Sequence, residues 1–296
     1  MSTLRELKGR IGSVASTEKI TGAMKMISSA KMHKYEQALK RLLPYRNQVQ
    51  SIIGHLLATD GNFSSPLIEI REVKKMAFVV FGSDDGLCGA YNINIFKSLN
   101  ECISQVRSQC GSSVEIKLFP IGKKMNKAVK KIEGDGVVVQ GVTELNTRST
   151  LQEVAQFTET LKKLYLSGEV DEVRVVYMHY RSVSHQRLQV DQLLPVSYEA
   201  LVATCSEKHR KFEPCLFEPD ANAIFNCVLP LHILATMQDI FTENNASEQA
   251  ARVMAMQSAS DNAKNLLDDL QLEYNKLRQQ GITTELLDIV GGQVER

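Results

Sequence analysis

The chain contains no CxxC pair, no Cys/His spacing suited to zinc and no H-E-x-x-H stretch. Its six cysteines, Cys88, Cys102, Cys110, Cys205, Cys215 and Cys227, are scattered as thiols of a reducing compartment are. That pattern excludes a disulfide framework and a structural zinc site. No run of apolar residues reads as long enough to cross a bilayer, and the opening MSTLRELKGRIGS has no signal-peptide core. Contact with a membrane is therefore expected only through partners. Net charge is also nearly absent, +1 over 296 residues. A dedicated nucleic-acid binder is usually basic overall, so no nucleic-acid partner is expected. Internal repeats and low-complexity tracts are missing too.

What is present is a long helical stretch at each end. Residues 3–57 place Leu4, Leu7, Ile11 and Val14 at the 3-4-3 spacing of a coiled-coil seam. Glu18 takes the next seam position, so the phase is expected to slip and resume at Ile20, Met24 and Ile27, then Tyr35, Leu39 and Leu42. Pro44 is a candidate kink. Gly9, Gly12 and Gly22 are poor helix residues, read either as close backbone approach or as tolerated surface glycines. Residues 1–50 hold ten Lys or Arg against Glu6, Glu18 and Glu36. This is either a solvated helix face, the commoner case, or a basic surface for an acidic partner.

At the other end, Pro219 and Asp220 are helix-start signals. Ile224, Val228, Leu231 and Leu234 begin a stripe that runs on through Phe241, Ala250, Val253, Leu270 and Leu277 to Ile289. Pro230 predicts a kink or short break. Ser247–Ile289 has no proline and a single glycine, Gly281. A rod on the order of 60 Å follows from about 1.5 Å per residue, and it needs a companion to bury its stripe.

Between these ends, after a break at 59–66, the period changes. MAFVVF (76–81), VEIKLF (114–119), GVVVQ (136–140) and VRVVYM (173–178) read as strands. Ile93–Arg107, Lys123–Ile132 and Thr150–Leu166 read as helices, and 179–196 as a further strand beside the last. Alternating strands and helices imply a mostly parallel, covered sheet. The expected fold is α/β: an antiparallel coiled coil of the two long terminal helices plus a central Rossmann-like domain. The expected boundaries are 1–58, 70–205 and 219–291, with the first and last paired.

Catalytic chemistry is hard to assemble from these residues. FGSDDGLCGAYN (81–92) is a glycine-bearing loop between strand and helix, where α/β folds often hold phosphates. Gly82, Gly86 and Gly89 match neither G-x-G-x-x-G nor a P-loop, and Asp84 and Asp85 oppose a phosphate. A tight turn packed on the long helices is the stronger reading. Cys88 has no assigned base and reads as a small core residue, and His179 and His185 read as structural or surface groups. No cofactor is expected, and the chain does not read as an enzyme acting alone.

Three separated motifs, in order, are more telling: IGSVASTEKITGAMKMISSAKM (11–32), SDDGLCGAYN (83–92), and the C-terminal stretch from SEQAARVMAMQSASDNAKNLL to ITTELLDIVGG. Together they resemble the gamma subunit of F-type ATP synthase over essentially the whole chain. The pattern I-T-x-E-x-x-[DE]-x-x-x-G is met by Ile282, Thr283, Glu285, Asp288 and Gly292. Three positions depart from the family: Gln293 where alanine is usual, Asp85 where a basic residue is usual, and Pro230 inside the second helix.

The resemblance implies a non-catalytic central-stalk rotor coupling ion-driven rotation of a membrane ring to ATP synthesis or hydrolysis, with hydrogen ions transported. The implied partners are the alpha and beta subunits of the catalytic hexamer, the epsilon subunit and the proteolipid c-ring. By motif, Met24 and Lys25 would face the acidic lever of a catalytic subunit. Arg252, Gln279, Thr283 and Glu285 would contact the catch loops, and Phe217, Glu218 and Asp220 would lie near the proteolipid ring. The implied place is peripheral, on the cytoplasmic face of a bacterial inner membrane, and the lack of a transit peptide is in keeping with that. An α/β-domain enzyme with a helical clamp and an unrelated coiled-coil adaptor are the alternatives.

Overall fold

A computed structural model of the protein describes residues 4–57, 63–111, 114–134, 136–141, 145–198, 201 and 217–294. Cys205, Cys215, the first half of the break at 59–66 and the stretch around the expected boundary at 205 lie outside the described residues, as do the surroundings of Asp288, Gly292 and Gln293. The elements are α1 (Leu4–Leu57), β1 (Lys75–Phe81), α2 (Tyr91–Cys110), β2 (Glu115–Ile121), α3 (Lys123–Val129, extended by a 3-10 turn), β3 (Val137–Val139), α4 (Leu151–Leu166), β4 (Glu172–Tyr180), β5 (Gln186–Leu194) and α5 (Ala221–Val294).

The chain divides into two compact units. One unites residues 1–29 with 252–296, and the other spans 30–251. In the larger unit the five strands lie in the order β3-β2-β1-β4-β5. The first four are parallel, and β5 returns antiparallel beside β4. Alternation along β1 sets the two sides of the sheet. Ala77, Val79 and Phe81 join a core cluster with α4 and with the sheet-side residues of both long helices, among them Ile53, Leu56, Leu229 and Ile240. Met76, Phe78 and Val80 join a second cluster with Ile95 and Leu99 of α2 and Met125 of α3. Thr150 caps α4 by accepting the Glu153 N–H, and the Glu153 carboxylate accepts the Thr150 N–H in return, a reciprocal capping box.

Within this unit the two long helices run antiparallel. Tyr180 on β4 bonds Glu36 of α1, Arg46 of α1 pairs with Asp239 of α5, and Ser64 N–H donates to Asn222 at the start of α5. The break expected at Pro230 does not occur, since α5 is continuous through it, as α1 is through Pro44. Proline removes one backbone donor, but Phe225, Val228, Leu229 and Ile233 around it are buried. Tertiary packing holds the helix where local propensity would not.

That packing also revises the reading of apolar runs. One window of Ala221–Leu287 is apolar enough by length and composition to cross a bilayer, with 44% of it buried inside the protein. Its apolar character serves the core, because Phe225, Leu229, Ile233, Met237, Ile240 and Phe241 all belong to the cluster under the sheet.

The seam of α1 is also different from the expected one. Leu7, Thr21, Ser28, Val49 and Leu56 are buried and sit at multiples of seven from one another, whereas Ile20 and Ile27 are 60% and 57% exposed. The period therefore does not slip at Glu18; it passes through small polar residues instead. Thr21 can be buried because its hydroxyl donates to the carbonyls of Thr17 and Glu18 in its own helix. A Cβ added at Gly9, Gly12 or Gly22 would meet open space, so these are surface glycines and not close approaches.

Candidate functional site

In a doubly wound sheet the ligand crevice lies at the carboxyl ends of the strands, where the chain order reverses. Here that point is between β1 and β4, since β1 leads on to β2 on one side and β4 lies on its other. The loop 82–90 leaves β1 there and enters α2. Its conformation is tightly specified. Gly122, with φ +99, brings the β2–α3 turn so close that a Cβ would lie 2.9 Å from the backbone of Gly82 and Ser83. A Cβ on Gly82 would lie 2.4 Å from that of Met125. The glycines serve close packing between two loops, and no phosphate cradle is formed.

The loop's polar groups are turned on each other. Ser83 N–H donates to Asn92 Oδ1, and Asn92 Nδ2 donates to Ser83 Oγ and approaches Cys88 Sγ at 3.3 Å. Cys88 is buried, as expected of a small core residue. Asp84 accepts from the Lys123 N–H at 3.0 Å, the Thr147 N–H at 3.1 Å and the Thr147 hydroxyl at 2.7 Å. Burial is the largest single influence on Asp84 and would raise its pKa, but these hydrogen bonds and the Lys123 charge together hold the carboxyl below its ordinary value. Asp84→Ala should therefore cost about 1 kcal/mol near neutral pH, the solvent contact of this half-buried group reducing the effect. The cost is present above the ordinary aspartate pKa and vanishes as pH falls through the lowered folded value. Urea titrations at pH 7 and pH 3 would read it, and an equal cost at both would refute the assignment. Asp85, the departure from the family pattern, pairs with Arg148 at 3.2 Å on the surface.

Helix α5 is bonded to the domain beside this point. β4 runs past the end of its pairing with β1 at Val176, and there the helix takes over. Asn244 Oδ1 accepts the Tyr91 hydroxyl at 2.6 Å and the Met178 N–H at 3.4 Å, while the Ser247 hydroxyl donates to the Met178 carbonyl at 2.9 Å. All four residues are buried. One residue further along β4, His179 Nδ1 lies 2.7 Å from Glu243. Burial raises the pKa of Glu243, and the His179 contact works against that rise. Around these contacts α5 presents the polar run Asn244, Asn245, Ser247, Glu248 and Gln249, every one at 7% exposure or less. Sequence reading missed this run, and the only signal was a polar stretch interrupting an apolar stripe.

The residues singled out by motif fall in both units. Met24 and Lys25 are half-buried on α1, and Gln279, Thr283 and Glu285 are exposed on α5. Thr283 gives its hydroxyl to the Gln279 carbonyl, so these two stack one turn apart, while Glu285 projects from another side. Arg252 is buried. At the start of α5, Phe217 packs on the core cluster, Glu218 is exposed, and Asp220 accepts the Ala223 N–H as a helix cap.

At the switch point, then, helix α5 is hydrogen-bonded to the start of α2 and to the end of β4. The family profile described as "ATP synthase" matches residues 3–294. The ATP synthase gamma chain of Bacteroides thetaiotaomicron is 39% identical, with all of both chains covered. The chain belongs to the ATP synthase gamma-chain family. As a gamma chain it is a non-catalytic rotor subunit of an ATP synthase. The gamma chain of Cupriavidus pinatubonensis is 34% identical over 99% of both chains. Among solved structures, a chain of the Euglena gracilis mitochondrial ATP synthase (OSCP/F1/c-ring, rotational state 3) aligns with a TM-score of 0.64 at 21% identity, covering 98% of this chain and 93% of that one. At that identity the likeness concerns the fold alone.

Proposed function

We propose that this rotor turns inside a hexamer of alpha and beta subunits, docks at its other end on the epsilon subunit and a proteolipid c-ring, and couples hydrogen-ion flow to ATP synthesis. The observation that carries this is whole-length similarity to gamma chains, with the long helix α5 hydrogen-bonded to the α/β domain through Asn244 and Ser247. In this reading the division is functional: 1–58 and 219–291 form the shaft, and 70–205 is the domain that receives torque. Met24 and Lys25 meet the acidic lever of a catalytic subunit. The exposed Gln279, Thr283 and Glu285 meet the catch loops, and Phe217, Glu218 and Asp220 lie near the ring. The complex sits on the cytoplasmic face of a bacterial inner membrane, in keeping with its bacterial relatives, and this chain is peripheral to it.

A shaft can drive a nucleotide site only by favouring one of its states over another. The exposed Ile20, Met26 and Ile27 on α1, and Leu272, Leu286 and Ile289 on α5, suit contacts that are made and released in turn. Reconstitution tests the proposal. Mixed with the matching alpha and beta subunits, the chain should restore ATP hydrolysis, and with c-ring vesicles ATP-driven proton uptake, while hydrolysing nothing alone. Lys25→Glu should lower turnover at least threefold, beyond the roughly twofold scatter of neutral surface substitutions. Failure to co-assemble would sink the rotor role, and unchanged turnover would remove Lys25 from the contact set.

A further inference from the structure

We propose that Asn244 and Ser247 are positioning residues that key helix α5 to the α/β domain and pass turning force between them. The inference rests on the rotor role above. It starts from the two ways the helix meets the domain. The apolar cluster under the sheet, with Phe225, Leu229, Ile233 and Phe241, resists separation. Apolar burial is non-directional, however, and depends on the area covered, so it resists turning and sliding poorly.

The contacts of Asn244 and Ser247 are different in kind. They lie three residues apart, hence on one face of α5, and they bond two separate elements of the domain. Tyr91, the first residue of α2, donates to Asn244 Oδ1 at 2.6 Å, and its hydroxyl also lies 3.2 Å from the Asn244 carbonyl. Met178 of β4 is held through both backbone groups, its N–H by Asn244 Oδ1 at 3.4 Å and its carbonyl by Ser247 Oγ at 2.9 Å. With a helix radius of about 5–6 Å, a turn of about 30° displaces the helix surface by about 3 Å. Such a displacement takes all of these bonds outside hydrogen-bonding range. The groups have no access to replacement water, since Asn244 and Ser247 are 1% and 0% exposed. The helix therefore has one seated angle against the sheet, and twisting it away leaves buried polar groups unpaired.

The neighbouring Thr242 supplies an internal control. It is 3% exposed, yet its hydroxyl donates only to the Gln238 carbonyl of the same helix, at 2.7 Å. Removing that hydroxyl perturbs the buried helix without touching the key.

The test uses the assembled complex of this chain with its alpha and beta subunits, stalled in one state. A probe on the exposed thiol of Cys110 reports thermal angular fluctuation of the domain, whose variance is inversely proportional to torsional stiffness. Asn244→Ala with Ser247→Ala should raise the variance at least 1.5-fold. Tyr91→Phe, which keeps the ring and removes only the hydroxyl, should raise it measurably and add little on top of Asn244→Ala. Thr242→Val should leave it unchanged. Equal variance in the key variants, or an equal rise with Thr242→Val, overturns the proposal. If the double variant does not assemble, Tyr91→Phe decides alone. A wild-type chain that fails to join alpha and beta subunits overturns the rotor role, whereas unchanged stiffness in an assembled complex overturns only the key.

Discussion

Lowering the pH from 7 to 4 should remove on the order of 3 kcal/mol of stability through His232 alone. Burial pushes this imidazole down to about 4, with the nearby Arg46 charge acting in the same direction. Its Nδ1 has no hydrogen-bond partner among the described residues, so nothing compensates a proton placed there. The sign follows from linkage. The folded value lies below the unfolded one near 6.5, so the unfolded chain binds the proton first. The contribution is complete above about pH 6.5 and is lost as pH falls toward 4. Glu36 and Asp84, whose pKa values are lowered, act in the same sense, and Glu243, whose value is raised, acts against it. Comparing wild type with His232→Leu isolates the histidine. The stability difference between the two should move by about 3 kcal/mol in favour of the variant between pH 7 and 4. A difference that stays flat across that range would contradict a neutral, buried His232.

Phe225→Ala should cost about 3–5 kcal/mol. The ring is fully buried at the beginning of α5, in one cluster with Ile53 and Leu56 of α1. It stacks at a tilt on Phe63 with centroids 5.0 Å apart. Truncation leaves a cavity walled by two helices that cannot both move in to fill it. The midpoint of urea unfolding reads the loss directly, and Phe225→Leu should restore more than half of it. A cost below about 1 kcal/mol would mean the site collapses freely, contrary to packing at 0% exposure. The same ring answers a question of composition, since it lies in the one helix among the described residues apolar enough to be taken for a membrane span, and it faces protein.

Element types were legible because each depends on a short-range pattern. The unbroken apolar run MAFVVF marks a strand buried on both faces, and β1 follows it within one residue. The antiparallel return at 186–194 follows from a strand-like run directly after β4. Asp220 reads as a helix start and is one, through its bond to the Ala223 N–H. The family, and with it the non-catalytic role, was also legible, because three separated motifs in order carry more information than any one loop.

The misreadings share a cause. Ile20 and Ile27 were expected in the seam on hydrophobicity, yet Thr21 and Ser28 take it while the isoleucines face outward. A seam position is selected by period and size as well as by apolarity, and a threonine can be buried there once its hydroxyl is satisfied inside its own helix. Pro230 was expected to kink or break α5, and no break occurs, because the buried core around it holds the helix continuous.

The glycine-bearing loop at 81–92 is the instructive case. Sequence alone determined that it follows a strand, precedes a helix and lacks a phosphate fingerprint, because those are statements about neighbours in the chain. What bonds to the helix it leads into was decided only in three dimensions, by Asn244, a residue more than 150 positions further along. A polar run such as Asn244–Gln249 looks solvated in any local window. It becomes a buried, bonded seat only when Tyr91 and Met178 arrive from elsewhere, since a hydrogen bond needs its partner's position and not merely its own residue type.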